Sequence, residues 1–431
     1  MAKGFILAAP SSGSGKTSLT FGLLAALRDA GTAVQGFKVG PDYIDPQYHA
    51  LAAGRPCPNL DPWAMTPARM KALLAASDAD LCVIEGVMGL FDGAQAGGGS
   101  TADLARTLGL PVVLVVDAKG MSGSVAALVH GFSHFDPSID IAGVILNRVG
   151  SDRHETMLRE ALHNSGIPVL GSLPRLSALR WPSRHLGLTL PQELPDMGAQ
   201  AQHLAGLIAE RFDLPKLLSL ARFIPGAEPP QPRKAGFFPH TAGTVALAWD
   251  DAFRFAYPHW LTGQEARFSP LANQRVPDTA DFVFLPGGYP ELHAATLSKA
   301  DAFWDSLRSA AARGATIYGE CGGYMALGEA ITVNGTRFPM ASLLPVATHY
   351  TTGSARTLGY RSLTAPEDFW AGTALKGHEF HASSAECLAP PSLFHAADSR
   401  QASLGLHGHQ ISNILGSYIH IIDREPTAPL P

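Results

Sequence analysis

The chain has 431 residues, 16% of them charged and 46% hydrophobic, with a formal net charge of -5. An average soluble protein carries roughly 25% charged residues, so this balance excludes a disordered chain and a strongly basic nucleic-acid binder. The length admits two or three domains, and low charge with 44 glycines points to large sheets buried on both faces.

Residues 4–9 (GFILAA) run straight into a Ser/Gly loop, so they read as a first strand and not as a signal peptide. Further strand-like runs are 34–39, 81–84, 112–117, 141–146 and 167–170. Helical stretches at 16–30, 67–76, 101–109, 122–133 and 153–165 lie between most of them. Short apolar strands alternating with helices predict βαβ units and a mainly parallel sheet, with ligands at the carboxyl ends of its strands. Residues 211–236 open with a short amphipathic piece and turn Pro-rich at Pro225, Pro229, Pro230 and Pro232. That segment is the expected linker between domains at 1–210 and 237–431. A second α/β pattern follows at 244–250, 281–288, 315–323 and 412–422, the last read as one late strand, and the final REPTAPLP reads as a frayed tail. No apolar stretch reaches the ~20 residues of a membrane span, and the expected compartment is the cytoplasm.

The first strand leads into Pro10-Ser11-Ser12-Gly13-Ser14-Gly15-Lys16-Thr17. This is the phosphate-loop pattern with Pro10 in place of its first Gly. Small residues such as Ser12, Gly13 and Gly15 let backbone N–H groups curl around phosphates, and Lys16 reaches the terminal ones. Thr17 offers a hydroxyl to Mg²⁺. Carboxylates for the metal are expected after the second strand, at Asp42 and Asp45, and after the third, at Glu85 with Asp92 further on. Either acid cluster could equally be an Asx-type turn. Asn147-Arg148, after the strand 141–146, could contact a base.

Near the C-terminal end, Tyr318-Gly319-Glu320-Cys321-Gly322-Gly323-Tyr324 joins a strand to a helix-prone run. A residue held on such a turn forms a nucleophile elbow. The helix start is expected to depress the thiol pKa, and the N–H of Gly322 to face an oxyanion. Pro286-Gly287-Gly288-Tyr289 ends another strand and offers further oxyanion donors, and His420 is the expected general base. Cys57, Cys82 and Cys387 lack this context and read as structural. None of the four cysteines has CxxC spacing, so no disulfide framework is expected.

The order PGG, GECGGY, GSYIH resembles the class I glutamine amidotransferases of the cobyric/cobyrinic acid type. The N-terminal half resembles the dethiobiotin synthetase-like P-loop group. The fusion, with APSSGSGKT, FKVGPDYIDPQYH, NLDPW and EGVMGLFDG, is similar to the cobyrinic or hydrogenobyrinic acid a,c-diamide synthases over nearly the whole chain. The resemblance implies an α/β fold, a P-loop domain with a mainly parallel sheet followed by an amidotransferase α/β domain. It implies conversion of the c and then the a acetate carboxylate of a corrin to amides. ATP with Mg²⁺ would form an acyl phosphate, and ammonia would come from glutamine through a thioester on Cys321. It places Thr17, Asp45 and Glu85 on the metal or phosphate side, and Asp42, Tyr43, Ile44 and Asp92 in segments facing the corrin, with Tyr43 and Ile44 influencing which carboxylate reacts. The implied partners are small molecules (a corrin polycarboxylate, glutamine and ATP), with no nucleic acid and no membrane. A homodimer is compatible.

One position departs from the triad pattern. The usual Glu two residues after the His is Ile422 here. The orienting group stays open between Glu379, Asp423 and a backbone carbonyl, while His378 and His381 read as structural. A polycarboxylate substrate also asks for local positive charge in an acidic chain, for which Lys38, Arg148, Arg180 and Arg184 are candidates. Whether the corrin carries cobalt stays open. A cobyric acid synthase would amidate other side chains of the same ring, and a MinD-type ATPase would need neither Cys321 nor His420.

Overall fold

The computed structural model describes residues 3–95, 97–176, 181–184, 187–224, 243–366 and 373–424. Arg180, the four prolines of the expected linker and the tail beyond 424 lie outside the described residues. The chain divides into two compact units between Gln231 and Pro232.

The first unit is built on an eight-stranded sheet. Seven of its strands are β1 (Lys3–Ala8), β2 (Val34–Val39), β3 (Asn59–Leu60), β4 (Leu81–Glu85), β5 (Val112–Asp117), β6 (Ile141–Val149) and β7 (Val169–Pro174), and Arg222–Phe223 is the eighth, beside β1. The seven lie in the order β3-β2-β4-β1-β5-β6-β7, and every pairing along that path is parallel. Central strands read as unbroken apolar runs because both faces are covered, and Phe5, Ile6, Val83, Ile84, Val113 and Val115 are all fully buried. The helices are α1 (Lys16–Asp29), α2 (Asp45–Ala53), α3 (Pro67–Ala75), α4 (Thr101–Leu108), α5 (Ser124–Phe135), α6 (Asp152–Leu162), α7 (Met197–Arg211) and α8 (Leu214–Leu220).

Two sequence readings change here. Asp45, read as part of a turn, instead begins α2, a helix over residues 45–53 that the sequence pattern does not assign. The turn is real but ends at Ile44, with the Asp42 carboxylate accepting the N–H groups of Ile44 and Asp45 at 2.8 and 3.0 Å. Pro46 then starts the helix and Gly54, at φ 69°, closes it. The start of the expected linker belongs to the first unit. Asp213 caps α8 by accepting the N–H of Lys216 at 3.0 Å, and Arg222–Phe223 pairs antiparallel with β1.

The second unit holds a six-stranded sheet in the order Ala266–Phe268, Thr244–Ala248, Ala280–Leu285, Thr316–Glu320, Ile414–Ser417, His409–Ile411. All its pairings are parallel except the last. A five-stranded antiparallel sheet runs Ser403–His407, Phe394–Ala397, Thr357–Thr364, Ala374–His381, Ile419–Arg424. The segment read as one late strand is therefore two strands in two sheets, broken at Tyr418. Ser417 causes the break: its Oγ accepts the N–H of Ile419 at 3.1 Å, a local bond that competes with continued pairing. Cys57 and Cys82 are buried and all four cysteines are free, but Cys387, read as structural, is exposed. Among the described residues no helix is long and apolar enough to cross a membrane.

Gly323 opens the short helix Gly322–Leu327 where it crosses the end of the strand Ala280–Leu285. A Cβ there would stand 1.9 Å from the carbonyl oxygen of Leu285, a backbone atom with little room to move. Gly323→Ala is expected to lower stability by about 1–3 kcal/mol through overpacking, read as a fall in the urea midpoint at unchanged m-value.

Candidate functional site

In the first unit, the carboxyl ends of β2, β4, β1 and β6 place the predicted phosphate-side residues. The loop after β1 closes on Gly15 at φ 87°. A Cβ on Gly15 would meet Asn147 Nδ2 at 2.2 Å, and that amide donates to the Ser14 carbonyl at 2.8 Å. Asn147, proposed from sequence as a base contact, thus braces the loop backbone. Ser12 and Gly13 are exposed on the loop. Lys16 is buried and curls back to donate to the carbonyls of Met88 and Ser11. Burial lowers its pKa to about 8.

Thr17, Asp45 and Glu85 do come together. Thr17 Oγ1 lies 3.0 Å from Asp45 Oδ2 and 2.9 Å from Glu85 Oε1. At their centre stands Lys38, whose Nζ is 2.6 Å from Asp45 Oδ2 and 3.0 Å from Glu85 Oε1. His49 Nε2 contacts the other oxygen of Glu85. Burial works against the Glu85 charge, but the Lys38 ammonium and His49 outweigh it and hold the carboxyl down at about 2. Sequence reasoning named Lys38 only as a general positive charge and missed His49. The signal for Lys38 is its register opposite Glu85 between β2 and β4. The signal for His49 is its position four residues after Asp45, one turn along a helix that was not foreseen.

The expected substrate-facing residues have mostly local roles. Asp42 holds the turn that leads into α2, and burial with the nearby Asp45 charge raises its pKa to about 7. Asp92 is exposed and accepts the N–H of Gly89 at 2.8 Å, holding its own loop. Tyr43 and Ile44 are 6% and 5% exposed, so they shape the segment from beneath. Two candidates for local positive charge are taken by acids, Arg148 by Asp117 at 2.6 Å and Arg184 by Glu193 at 2.6 Å.

In the second unit, Cys321 occupies the turn between the strand Thr316–Glu320 and the helix Gly322–Leu327, at φ 47°, ψ −104°. A non-glycine residue at this φ is strained and is held by its surroundings. Here the Cys321 N–H donates to the Ser417 carbonyl at 2.8 Å. A Cβ on Gly287 would lie 2.2 Å from His420 Cε1, 3.0 Å from His420 Nε2 and 3.3 Å from the Cys321 Cβ. The three residues therefore converge on one point that only a glycine leaves open. A Cβ on Gly322 would lie 3.0 Å from the N of Gly288, so these two glycines adjoin as well.

The thiol differs from expectation. Burial pushes its pKa up, the charge of Glu291 adds to this, and the N–H of Gly322 offsets only part. Six residues of helix do not overcome a site 1% exposed. The resting sulfur is a thiol, so it needs a base to take its proton. His420, 1% exposed, stands beside it.

None of the acids weighed for orienting His420 is the one nearest to it. Glu379 is engaged elsewhere, with Arg361 at 2.7 Å and His381 at 3.1 Å. Asp423 pairs in register with Lys376. The carboxylate beside His420 is Glu320, with Oε2 3.6 Å from Nδ1. His378 lies opposite His420 on the paired strand, and burial lowers its pKa to about 3.

Residues 5–188 match the family described as the CobQ/CobB/MinD/ParA nucleotide binding domain, and residues 259–427 match the CobB/CobQ-like glutamine amidotransferase domain. The chain is 48% identical to a hydrogenobyrinate a,c-diamide synthase of Brucella anthropi, with 98% of each chain covered. It is 45% identical to that of Rhizobium meliloti, covering 97% of this chain and 99% of the relative. It is 46% identical to that of Brucella suis, with 98% of each covered.

Glu379 is held at about 2, its burial outweighed by His381 and Arg361. A carboxyl lowered on folding contributes stability above its unfolded pKa and loses it as pH falls from about 4.5 towards 2. Glu379→Gln is expected to cost about 2–4 kcal/mol at pH 7. Denaturant titrations of both proteins should show that gap narrowing below pH 4.5.

Proposed function

The chain belongs to the hydrogenobyrinate a,c-diamide synthase family, and from that premise we propose that it amidates two peripheral carboxylates of a corrin, using ATP and glutamine. The observation that carries the reading is the convergence of Cys321, His420 and Gly287 in a chain that also holds a phosphate loop. A nucleotide-binding ATPase of the partitioning kind has no use for that convergence.

A carboxylate is inert to ammonia near neutral pH, so it must be activated. ATP supplies the activation by phosphorylating it to an acyl phosphate, which ammonia attacks with loss of phosphate. Lys16 and the N–H groups of the loop, including Gly13 and Gly15, stabilise charge on the transferring phosphoryl group. The donor set fits Mg²⁺. Among the described residues no group of three or more His, Cys, Asp or Glu side chains is placed to hold a metal, but Mg²⁺ asks only one or two carboxylates beside phosphates and water. Thr17, Asp45 and Glu85 would hold it, and it would neutralise phosphate charge during transfer. Lys38 keeps Glu85 ionised for that role.

Glutamine is hydrolysed in the second unit. His420 Nε2 takes the proton of the Cys321 thiol as sulfur attacks the amide carbon. The resulting oxyanion is held by the N–H groups of Gly322 and of the Gly287-Gly288 turn. His420 returns the proton to the leaving nitrogen, ammonia departs, and water then hydrolyses the thioester. The relatives are named for the metal-free corrin, which favours hydrogenobyrinic acid over its cobalt-containing counterpart as substrate. Such a pathway enzyme works in the cytoplasm.

Full-length protein with glutamine and MgATP should amidate hydrogenobyrinic acid twice, seen by product mass. ATP hydrolysis without amidation of either that acid or cobyrinic acid would sink the reading. Cys321→Ala should lose glutamine-dependent amidation and keep the ammonia-dependent reaction. Lys16→Ala should lose about 100-fold or more with either nitrogen source.

A further inference from the structure

The imidazole of His420 has two working edges. Its Cε1–Nε2 edge faces the space shared with Gly287 and Cys321, as the 2.2 and 3.0 Å approaches to a Gly287 Cβ position show. Its Nδ1 faces Glu320 Oε2 at 3.6 Å. We propose that Glu320, the residue directly before the nucleophile, is the positioning residue of His420 and takes the part of the acid that position 422 lacks.

The carboxylate is fixed from both sides. Its side chain is 4% exposed. Oε1 accepts the Tyr318 hydroxyl at 3.0 Å and the N–H of Ile421 at 3.1 Å. One anchor comes from the strand that ends at Glu320, the other from the residue after His420. With Oε1 held twice, Oε2 is the oxygen turned to the imidazole. A proton on Nδ1 then leaves Nε2 as the acceptor facing the thiol, the tautomer a general base requires. When Nε2 receives the thiol proton, the new positive charge forms beside the buried Glu320 side chain. A separation of 3.6 Å exceeds a hydrogen bond, and catalytic contacts of this kind commonly tighten when substrate binds. Of the other groups nearby, Arg361 and His381 are on Glu379, His378 is held neutral by burial, and Glu291 is a further buried acid whose charge acts on Cys321.

The inference rests on the reading that Cys321 and His420 hydrolyse glutamine, and the experiment separates the two. Steady-state glutamine hydrolysis is measured on the full chain for Glu320→Gln, Tyr318→Phe, Asp423→Asn and Cys321→Ala. Glu320→Gln keeps the shape and the acceptor for both anchors, and removes the charge. Its kcat should fall about 100-fold with KM for glutamine within about twofold, and ammonia-dependent amidation should not change. Tyr318→Phe leaves the carboxylate but frees one anchor, and should lower kcat by about threefold to tenfold at unchanged KM. It reports even if Glu320→Gln is poorly folded by its urea midpoint. Asp423→Asn should stay within about twofold of the parent in kcat. Parental kcat in Glu320→Gln, or in Tyr318→Phe where Glu320→Gln does not fold, overturns the assignment, as does a larger loss in Asp423→Asn than in Glu320→Gln. Glutamine hydrolysis surviving in Cys321→Ala would instead overturn the glutaminase reading beneath it.

Discussion

A carboxylate removed from water has to be given a partner. Taking an ion into a medium of low dielectric costs several kcal/mol even after relaxation, and the fold survives only if that cost is offset by opposite charge or by hydrogen bonds. Glu85, Glu320 and Glu379 are all buried, and each is answered differently. Glu85 is held between Lys38 and His49, Glu379 between Arg361 and His381, and Glu320 by a tyrosine hydroxyl, a backbone N–H and the imidazole edge. Glu85 and Glu320 end strands at the carboxyl edge of a parallel sheet, and Glu379 sits in an antiparallel strand. In the two parallel sheets, strand order decides which partners can reach.

The second constraint is the absence of matter. Gly15, Gly287 and Gly323 each stand where a Cβ would collide with a neighbour: the Asn147 amide bracing the phosphate loop, the His420 ring, and the Leu285 carbonyl under the Cys321 turn. Backbone is brought close to backbone or to a reacting group, and that closeness is what lets N–H groups act on an anion. The strained φ of Cys321 belongs to the same economy of space, since its amide is tied to Ser417 on the neighbouring strand.

Much of this was legible because the strands carry their own punctuation. Continuous apolar runs ending in Gly, Asp, Glu or Asn gave the parallel sheet and its ligand edge, and the Gly-rich turns gave Lys16, Thr17 and Cys321. What failed to show were relations across strands. Lys38 looked like one surface cation among several until β2 lay in register with Glu85. Glu320 was read as part of a turn motif and not as a neighbour of His420, because 100 residues of chain separate the two and only the pairing of Glu320 with Ser417, three residues before His420, brings them together. The break at Tyr418 was invisible in an apolar run, where a single serine side chain diverts the backbone. Burial also reversed one sequence inference: a short helix start suggests an acidic thiol, but enclosure pushes the other way and prevails.

The negative charge of the chain looks less puzzling beside this. Its positive groups near the phosphate loop, Lys16 and Lys38, are buried, while much of the acidity is at the surface. The break at Tyr418 reaches further. Cys321 and His420, the proposed nucleophile and base, hang from different sheets, and those sheets are joined at Tyr418. Their spacing is therefore set by how those two layers lie against each other. A displacement of about 1 Å can cost a hundredfold in rate, so on the proposed reading glutamine turnover would act as a strain gauge on the packing between layers. Substitutions among the buried Ile419, Ile421 and Phe394 would then be felt first as slower hydrolysis and only later as lost stability.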